Sequence, residues 1–314
     1  MSHRVLITGA NGFIGSHVTR LMESLGHGVV AMDVVPRSPD LSLLGIATAS
    51  HLMNVTDDVA FRELCNRAKP THIFHAAHPP RDESPSVINY CYHAMTNILE
   101  AAKDLKIRRV VYSSSASIYG QLKKPEGSLV KEDDAVTIYP TYFYRASKTV
   151  SEWMGDFYKE KHGVGFVALR YSSVYGPGLY RSIPLELKKG VLGQPCKPFL
   201  TRPLDDLIYV DDVADAVSRA LFASKPLSRA YNIGLDRAYT NTDLTQAIKK
   251  ALPDLKFEIG QHPNAAEVAP HRMRSPLDIS LAAKELGWSP KIYLEEGIAR
   301  LSAWLVAHKQ ELQP

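Results

Sequence analysis

The sequence predicts an α/β fold in which helices cover both faces of a parallel sheet. Short apolar runs rich in Val and Ile alternate along the first half of the chain with amphipathic stretches of helical period. Strands that alternate with helices are typical of a parallel sheet buried on both sides. The 314 residues are enough for one large domain or two modest ones.

The individual elements follow from periodicity. The predicted strands are Val5–Thr8, Val29–Asp33, His72–His75, Arg109–Ser113, Phe166–Arg170 and Ala230–Gly234. Helical period predicts helices at Phe13–Leu25, Ala60–Ala68 and Ala94–Leu105. A segment rich in Gly and Pro after residue 175, and the tail after Leu235, break the alternation. We therefore expect residues 1–175, with a return segment at about 205–235, to form the sheet domain. Residues 176–204 and 236–314 are expected to form a smaller, C-terminal substrate-binding lobe.

The composition disfavours several classes of protein. The net charge is +4, and no block of like charges suggests a nucleic-acid-binding arm. No stretch approaches the ~18 apolar residues of a membrane span, and the N-terminus lacks the pattern of a signal peptide. Cys65, Cys91 and Cys196 are odd in number and widely spaced, which fits a reducing compartment and gives no metal-binding pattern. We expect a cytoplasmic protein with no nucleic-acid, membrane or metal partner.

The run ITGANGFIG at residues 7–15 lies between the first strand and the first helix. Glycines at 9, 12 and 15 permit a tight turn, close approach to a pyrophosphate, and packing of the helix on the strand. The helix N-terminus adds free N–H groups and a positive dipole end. This pattern predicts a dinucleotide site of the Rossmann type.

Asp33 ends the next strand, about 20 residues further on, where a carboxylate binds the adenosine ribose hydroxyls. Its charge would repel the 2′-phosphate of NADP, so we expect NAD to be the preferred cofactor. Arg37 lies four residues later and would soften that preference.

A candidate catalytic pair lies in the run YRASK at 144–148. Tyr144 and Lys148, at i and i+4, share one face of a helix, and a nearby ammonium favours the phenolate below its free pKa of about 10. The predicted strand at 109–113 runs into a cluster of hydroxyls that includes Ser115 and Ser117. Ligands of doubly wound sheets bind at the carboxyl ends of strands, so these hydroxyls are expected to face the same crevice.

Together, these motifs resemble the extended short-chain dehydrogenase/reductase family, which includes the NAD-dependent epimerases and dehydratases. The resemblance rests on the glycines of 9–15, the run SSSASIYG at 113–120 and the Tyr-x-x-x-Lys of 144–148. Three further runs are similar to its signatures: RYSSVYGP at 170–177, LIYVDDV at 207–213 and LGWSPK at 286–291. The resemblance extends, in order, over essentially the whole chain.

The resemblance implies an enzyme in which Tyr144 takes a proton from a substrate hydroxyl while hydride moves to the nicotinamide. Ser115 would hydrogen-bond the developing carbonyl, and Lys148 would tune Tyr144 and hold the ribose. The implied cofactor-binding residues are Gly9, Asn11, Gly12, Phe13, Ile14, Gly15, Asp33, Asn54, Val55, Ala76, Ala77, Tyr144, Lys148 and Tyr171. The substrate-binding candidates are His78, Ser117, Ser173, Arg181, Arg202 and Arg274. For His78 a ligand contact and an ordinary loop position stay equally open.

Within the family, the residues after the active-site hydroxyl separate the reaction types. Dehydratases carry an Asp-Glu pair where this chain has Ala116 and Ser117. Sugar-nucleotide decarboxylases carry Glu at the position of Ser117, so the resemblance favours neither reaction. The run is most similar to that of UDP-hexose 4-epimerases, which implies epimerisation of a sugar or sugar derivative through a transient ketone.

Other positions support an alternative. The family's nucleotide-sugar enzymes usually have Asn at the position of Ser173 and Arg near the position of Asp205. In this chain the negative charge of Asp205 would repel a diphosphate. A net dehydrogenase or ketoreductase acting on a nucleotide-free substrate therefore stays open, and we expect UDP to bind weakly. A dinucleotide sensor without chemistry is a remote third hypothesis, since Tyr144 and Lys148 are intact.

The sequence also predicts a C2 homodimer. In the family, the helix that carries the Tyr and Lys pairs with the preceding helix, and two subunits bury both pairs as a four-helix bundle. Here these helices are expected at about 144–162 and 90–105. They carry apolar residues beyond what one sheet face covers: Tyr92, Met95, Trp153 and Phe157.

Overall fold

The computed structural model describes residues 2–79, 84–120, 122, 124–125, 127–136, 143–179, 181–196, 206–225, 227–256 and 275–313. The strands are β1 Arg4–Thr8, β2 Gly28–Asp33, β3 Ser50–Leu52, β4 His72–His75, β5 Arg109–Ser115, β6 Phe166–Tyr171, β7 Ser173–Tyr175, β8 Leu207–Tyr209 and β9 Ala230–Ile233. The helices are α1 Phe13–Ser24, α2 Pro39–Ser42, α3 Asp58–Ala68, α4 Ser86–Asp104, α5 Phe143–His162, α6 Ser182–Val191, α7 Val210–Phe222, α8 Asn241–Ala251, α9 Ser280–Leu286 and α10 Leu294–Ala307. A 3₁₀ turn spans Ala116–Tyr119.

Seven strands form one parallel sheet in the order β3-β2-β1-β4-β5-β6-β9. The chain first builds outward from β1 to β3 and then crosses back to β4, so the order reverses between β1 and β4. In doubly wound sheets this reversal opens a crevice at the carboxyl ends of the two strands. The structure confirms the predicted fold class and places the glycine-rich turn at this point.

Two apolar cores lie on opposite faces of the sheet. Successive side chains of a strand point to opposite faces, so Leu6 packs into one core and Ile7 into the other. The core around Ile7 is covered by α1 and α7, and that around Leu6 by α3, α4 and α5. Among the described helices, none is long and apolar enough to cross a bilayer.

The predicted and observed elements differ in several respects. Helix α4 begins at Ser86 rather than Ala94. Cys91, one turn before Ala94, and Val87, two turns before it, continue the buried face of the helix. Met95 is fully buried in the core, so the expectation that it belongs to a surplus apolar surface is wrong. Strands β3, β7 and β8 were not predicted, since three residues are too few to display an alternating pattern.

A third core lies among the later elements of the chain. Helices α6, α8 and α10 contribute Leu187, Ile248 and Leu301, which pack with Tyr175 of β7 and Tyr209 of β8. β7 and β8 form a separate two-stranded parallel sheet. The assignment of these later segments to a substrate-binding lobe stays a prediction.

A buried ion pair ties α5 to the sheet. Arg170 of β6 donates from Nη2 to Glu152 Oε2 of α5 at 2.6 Å, and both side chains are almost completely buried. Ser114 of β5 donates to Glu152 Oε1 at 2.5 Å, and Arg170 Nη1 donates to Tyr119 Oη at 2.7 Å. The network holds α5 in one position against the carboxyl ends of β5 and β6.

A histidine cluster lies at the opposite, N-terminal edge of the sheet. The rings of His3, His27 and His72 surround Phe222 of α7, with centroid separations of 4.7, 4.4 and 5.2 Å. Burial, with smaller contributions from His3 and Arg108, lowers the pKa of His72 to about 4. These rings therefore pack as neutral groups near neutral pH.

Candidate active site

The turn between β1 and α1 needs glycine at two positions. Gly9 has a φ of +70°, and a Cβ there would lie 2.6 Å from the backbone N of Ala77. A Cβ on Gly15 would lie 2.0 Å from the carbonyl O of Gly9, which is closer than any packing allows. Gly12 precedes α1, and no side chain of the described residues caps the helix there. The N–H groups of the first turn of α1 are thus available to an anion.

Backbone donors fix the carboxylate of Asp33 at the end of β2. Its Oδ2 accepts from the backbone N of Asn11 at 2.9 Å, and its Oδ1 accepts from that of Val34 at 2.7 Å. Burial lowers the pKa of the Arg37 guanidinium, whereas the charges of Glu23 and Asp33 raise it. The effect of Arg37 on the choice between NAD and NADP stays a prediction.

A cleft of about 340 Å³ opens at the reversal of the strand order. It is lined by Thr8, Gly9, Asn11, Gly12, Met32, Asp33, Val34, Val35, Met53, Val55, Ala76, Ala77, His78 and Tyr90. The glycine turn, the uncapped helix and a carboxylate at the end of β2 are what an adenine dinucleotide requires. The residues present therefore fit NAD.

Several implied cofactor residues lie outside this lining. Phe13, Ile14 and Gly15 form the first turn of α1 behind the glycines, and Tyr171 is buried in the sheet core beside Ser115. Asn54 is exposed, and its Oδ1 accepts from the backbone N of Thr56 at 3.0 Å. Contacts of these residues with the cofactor stay predictions.

The structure places Tyr144 and Lys148 on α5, against the end of β5. Lys148 is buried, and its Nζ donates to the carbonyl O of Ser113 at 2.7 Å and lies 5.6 Å from the Tyr144 ring centroid. Ser115 ends β5, and its Oγ accepts from the backbone N of Ser117 at 3.2 Å. A nearby ammonium favours the phenolate form of a phenol in general, so Tyr144 remains the candidate base.

His78 lies between the cleft and Tyr144. Its Nδ1 is 2.7 Å from the carbonyl O of Pro79, and its Nε2 is 3.2 Å from Ser147 Oγ. The His78 and Tyr144 rings meet edge to face, with centroids 5.0 Å apart. The structure thus places this histidine beside the candidate base as well as in the lining of the cleft.

The other substrate candidates are less closely placed. The Oγ of Ser117 is buried in the 3₁₀ turn, without a hydrogen-bond partner among the described residues. Ser173 is half-buried on β7, where its backbone N donates to the carbonyl O of Asp206 at 3.0 Å. Arg181 is exposed at the start of α6. Arg202, Arg272, Arg274 and Asp205 lie outside the described residues.

Three polar residues of the site escaped sequence reasoning. Thr8 lines the cleft, and its Oγ1 lies 2.7 Å from Nδ1 of His75. Burial, with a smaller contribution from the charge of Lys148, lowers the pKa of His75 to about 3, so its imidazole is neutral. Ser147 lies inside the Tyr-x-x-x-Lys run, which was the available signal for its proximity. In the part of the chain that the structure describes, no three His, Cys, Asp or Glu side chains form a metal site.

Comparison with known proteins adds an independent finding. Residues 5–234 match the model of the NAD dependent epimerase/dehydratase family. UDP-glucuronate 4-epimerase 5 of Arabidopsis thaliana is 28% identical over 96% of this chain and 74% of its own. The UDP-glucose 4-epimerase of Mycolicibacterium smegmatis is 29% identical over 95% of this chain and 96% of its own.

A solved structure agrees with these relatives. The UDP-glucose 4-epimerase of Thermus thermophilus, in complex with NAD, superposes with a TM-score of 0.79 and 28% identity. The superposition covers 96% of this chain and 98% of that one. The family match spans the glycine-rich turn and all three candidate catalytic residues.

Proposed function

Because the chain belongs to the NAD-dependent epimerase/dehydratase family, we propose that it is an NAD-dependent epimerase acting on a secondary alcohol of a sugar or sugar derivative. The observation that carries this proposal is the position of Tyr144 and Lys148 against the end of β5. There Ser115 is followed by Ala116 and Ser117, neither of which can act as the acid or base of an elimination.

The cleft residues divide the binding of NAD between them. The N–H groups at the start of α1 receive the diphosphate, and Asp33 accepts the ribose hydroxyls. When bound, NAD supplies the acceptor and later the donor of hydride. Complexes with NAD among the structural relatives support this choice of cofactor.

The protein's own residues handle the proton. Tyr144, as phenolate, takes the proton of the substrate hydroxyl, and the C–O bond becomes a carbonyl as hydride leaves the same carbon. Ser115 donates a hydrogen bond to that oxygen, and Lys148 stabilises the phenolate. Tyr144 then returns the proton to the oxygen when hydride re-enters on the other face of the carbonyl. The configuration at that carbon would be inverted, with no net oxidation or reduction of the substrate.

A second candidate is net oxidation or reduction of a substrate without a nucleotide. The relatives are epimerases of UDP-linked sugars, which supports a sugar substrate. Ser173, however, offers one hydroxyl where nucleotide-sugar enzymes of the family usually offer an amide, and Asp205 adds a negative charge. An anion without adequate donors is costly to bury, by several kcal/mol.

Turnover with a panel of substrates separates these functions. The protein is incubated with NAD and with sugars, sugar acids and UDP-sugars, and chromatography of the products is combined with NADH absorbance. We expect a stereoisomer to form without net absorbance change. A stoichiometric absorbance change would establish the second candidate, and NAD binding without any conversion would favour a dinucleotide sensor.

Calorimetric titration with UDP tests the nucleotide separately. We expect binding in the high-micromolar range or weaker, roughly −5.5 kcal/mol or less in magnitude, for the NAD-loaded protein. Low-micromolar binding would contradict this expectation and make UDP-sugars the leading substrates.

A further inference from the structure

We propose that His78 is a proton-accepting positioning residue that sets the acidity of Tyr144. The proposal rests on the proposed function, because it takes Tyr144 as the base of the reaction. It adds a titratable group to a site that otherwise consists of a hydroxyl, a phenol and an ammonium. The hydrogen bonds of the His78 ring define how this group can act.

The carbonyl of Pro79 decides which ring nitrogen carries the fixed proton. It lies 2.7 Å from Nδ1 and can only accept a hydrogen bond, so Nδ1 must donate. Nε2 is then the atom at which His78 gains or loses a proton. This atom faces Ser147 on the first turn of α5, at 3.2 Å from its Oγ.

Ser147 links the charge of His78 to the backbone of Tyr144. Its Oγ also lies 2.8 Å from the Tyr144 carbonyl O, and the hydroxyl has a single proton. With neutral His78, the hydroxyl donates to Nε2. Once Nε2 is protonated, it donates to the Ser147 oxygen, and the hydroxyl donates to Tyr144 instead. The Nε2 contact is kept in both states, so the change leaves no ring nitrogen unsatisfied.

Three other titratable side chains of the described residues lie around the His78 ring, on β4 and α4. Burial lowers the pKa of His75 on β4 to about 3 and raises that of Tyr90 on α4 to about 12. Burial also raises the pKa of the Cys91 thiol, against the Lys148 charge and a hydrogen bond with Ser147. These three groups are neutral near neutral pH.

The charged residues on the described elements at this site include Lys148 and the buried Arg145 on α5, and Asp33 across the cleft. Three charged residues that follow His78 in the chain, Arg81, Asp82 and Glu83, lie outside the described residues. Lys148 favours the Tyr144 phenolate and disfavours a protonated His78.

Opposite charges on protonated His78 and ionised Tyr144 stabilise each other in the pH range in which the two titrations overlap, and the lowering of the Tyr144 pKa by Lys148 that the proposed function requires brings them together. Their ring centroids are 5.0 Å apart, well inside the distance at which opposite charges shift each other's titration. The two groups titrate as a coupled pair rather than as independent sites. Removal of the imidazole should raise the pH midpoint of Tyr144 ionisation by about one unit.

Phenolate absorbance tests this without any substrate. The titration of Tyr144 is the difference between the wild-type protein and Tyr144→Phe, measured with and without NAD. The same difference is then measured in His78→Gln and His78→Ala backgrounds. Gln keeps a hydrogen bond to Ser147 but cannot take a proton. We expect both substitutions to raise the midpoint by a similar amount.

Two outcomes would overturn the proposal. An unchanged midpoint in both variants removes the coupling, and a shift in His78→Ala that His78→Gln reverses leaves only a packing role. His78 can also be followed from its own side, by NMR of histidine-labelled wild-type and Tyr144→Phe proteins. Its midpoint should fall when the phenol is lost, and an equal midpoint in the two proteins contradicts the proposal even if the His78 variants do not fold.

The controls separate this inference from the proposed function. His51→Gln replaces an exposed histidine on β3 and should leave the Tyr144 midpoint unchanged. Thermal unfolding and NAD affinity report whether each variant is intact. A coupled titration in a protein that converts no sugar would leave the inference standing and remove the proposed function. Conversion of a sugar by a protein whose Tyr144 midpoint does not depend on His78 would support the proposed function and overturn the inference.

Discussion

Tyr144 differs from phenylalanine by one oxygen, the atom that accepts the proton in the proposed reaction. The ring of Tyr144 is half-buried against His78, and Phe preserves that packing. We expect Tyr144→Phe to lower turnover by about 100-fold or more, since it removes general base catalysis. Thermal unfolding and NAD affinity, measured alongside, should change little. A Phe variant with wild-type turnover would exclude Tyr144 as the base.

We expect a second single residue, Asp33, to govern the choice between NAD and NADP. Its carboxylate is fixed by the backbone N–H groups of Asn11 and Val34, so its charge stays at the mouth of the adenosine site. Fluorescence titration should show tighter binding of NAD than of NADP, and Asp33→Ala should narrow that difference by relieving repulsion of the 2′-phosphate. The matched variant Arg37→Ala should widen the difference in affinity between NAD and NADP, because it removes a positive charge near the 2′-phosphate. A wild-type preference for NADP would mean that Arg37 dominates.

At the scale of elements, how much the sequence predicted depended on the length of the pattern. The buried strands of four or more residues display alternation or an unbroken apolar run, and these were predicted to within two residues at either end. β7 and β8 are three residues long and are recognised only by their pairing. Helix α4 was predicted too short, since it begins at Ser86 and the sequence analysis placed its start at Ala94 or at about residue 90.

The candidate site divides in the same way. Gly9, Asp33, Tyr144 and Lys148 lie in local motifs whose spacing carries their chemistry, so the sequence could identify them. The contact of Thr8 with His75 depends on the β1–β4 register, which places these two residues side by side. The contact of His78 with Ser147 joins residues 69 apart in sequence. Neither contact leaves a pattern in the sequence.

The Glu152–Arg170 pair should make the attachment of α5 strongly dependent on charge. Glu152→Gln leaves the buried guanidinium without its carboxylate, and breaking such pairs typically costs about 3–5 kcal/mol. Urea unfolding measures the change in the free energy of unfolding. Glu296→Gln, which breaks an exposed pair with Arg300 on α10, should cost less than about 1 kcal/mol. Equal losses in the two variants would argue against a structural role for the buried pair.

At the scale of the whole molecule, α4 and α5 present an apolar surface that the single chain leaves uncovered. Tyr92, Trp153 and Phe157 are 49%, 56% and 53% exposed. We propose that two chains bury this surface as a C2 homodimer. Sedimentation at micromolar concentration should show twice the chain mass of 34.8 kDa.

Substitution tests the same surface. Trp153→Glu should shift the sedimenting species towards the monomer, because it places a charge in the apolar contact. Val306→Glu is the matched control, since Val306 lies on α10 and is 53% exposed. This variant should sediment like the wild-type protein. A wild-type protein that sediments only as a monomer would contradict the proposal.

The histidines around Phe222 make the molecule sensitive to acid at the end farthest from its cleft. An unfolded chain protonates His72 near its ordinary pKa of 6.5, whereas the folded protein resists until about pH 4. The unfolded state therefore binds more protons within this window, and stability present above pH 6.5 is lost as the pH falls through it. Urea unfolding at a series of pH values should show this decline, and His72→Gln should flatten it. If the free energy of unfolding of His72→Gln falls as steeply with pH as that of the wild-type protein, other groups cause the sensitivity to acid. If the decline belongs to His72, mild acid should loosen the N-terminal edge of the sheet first and release β1 from that end, while the candidate cofactor-binding residues at the opposite edge are still in place.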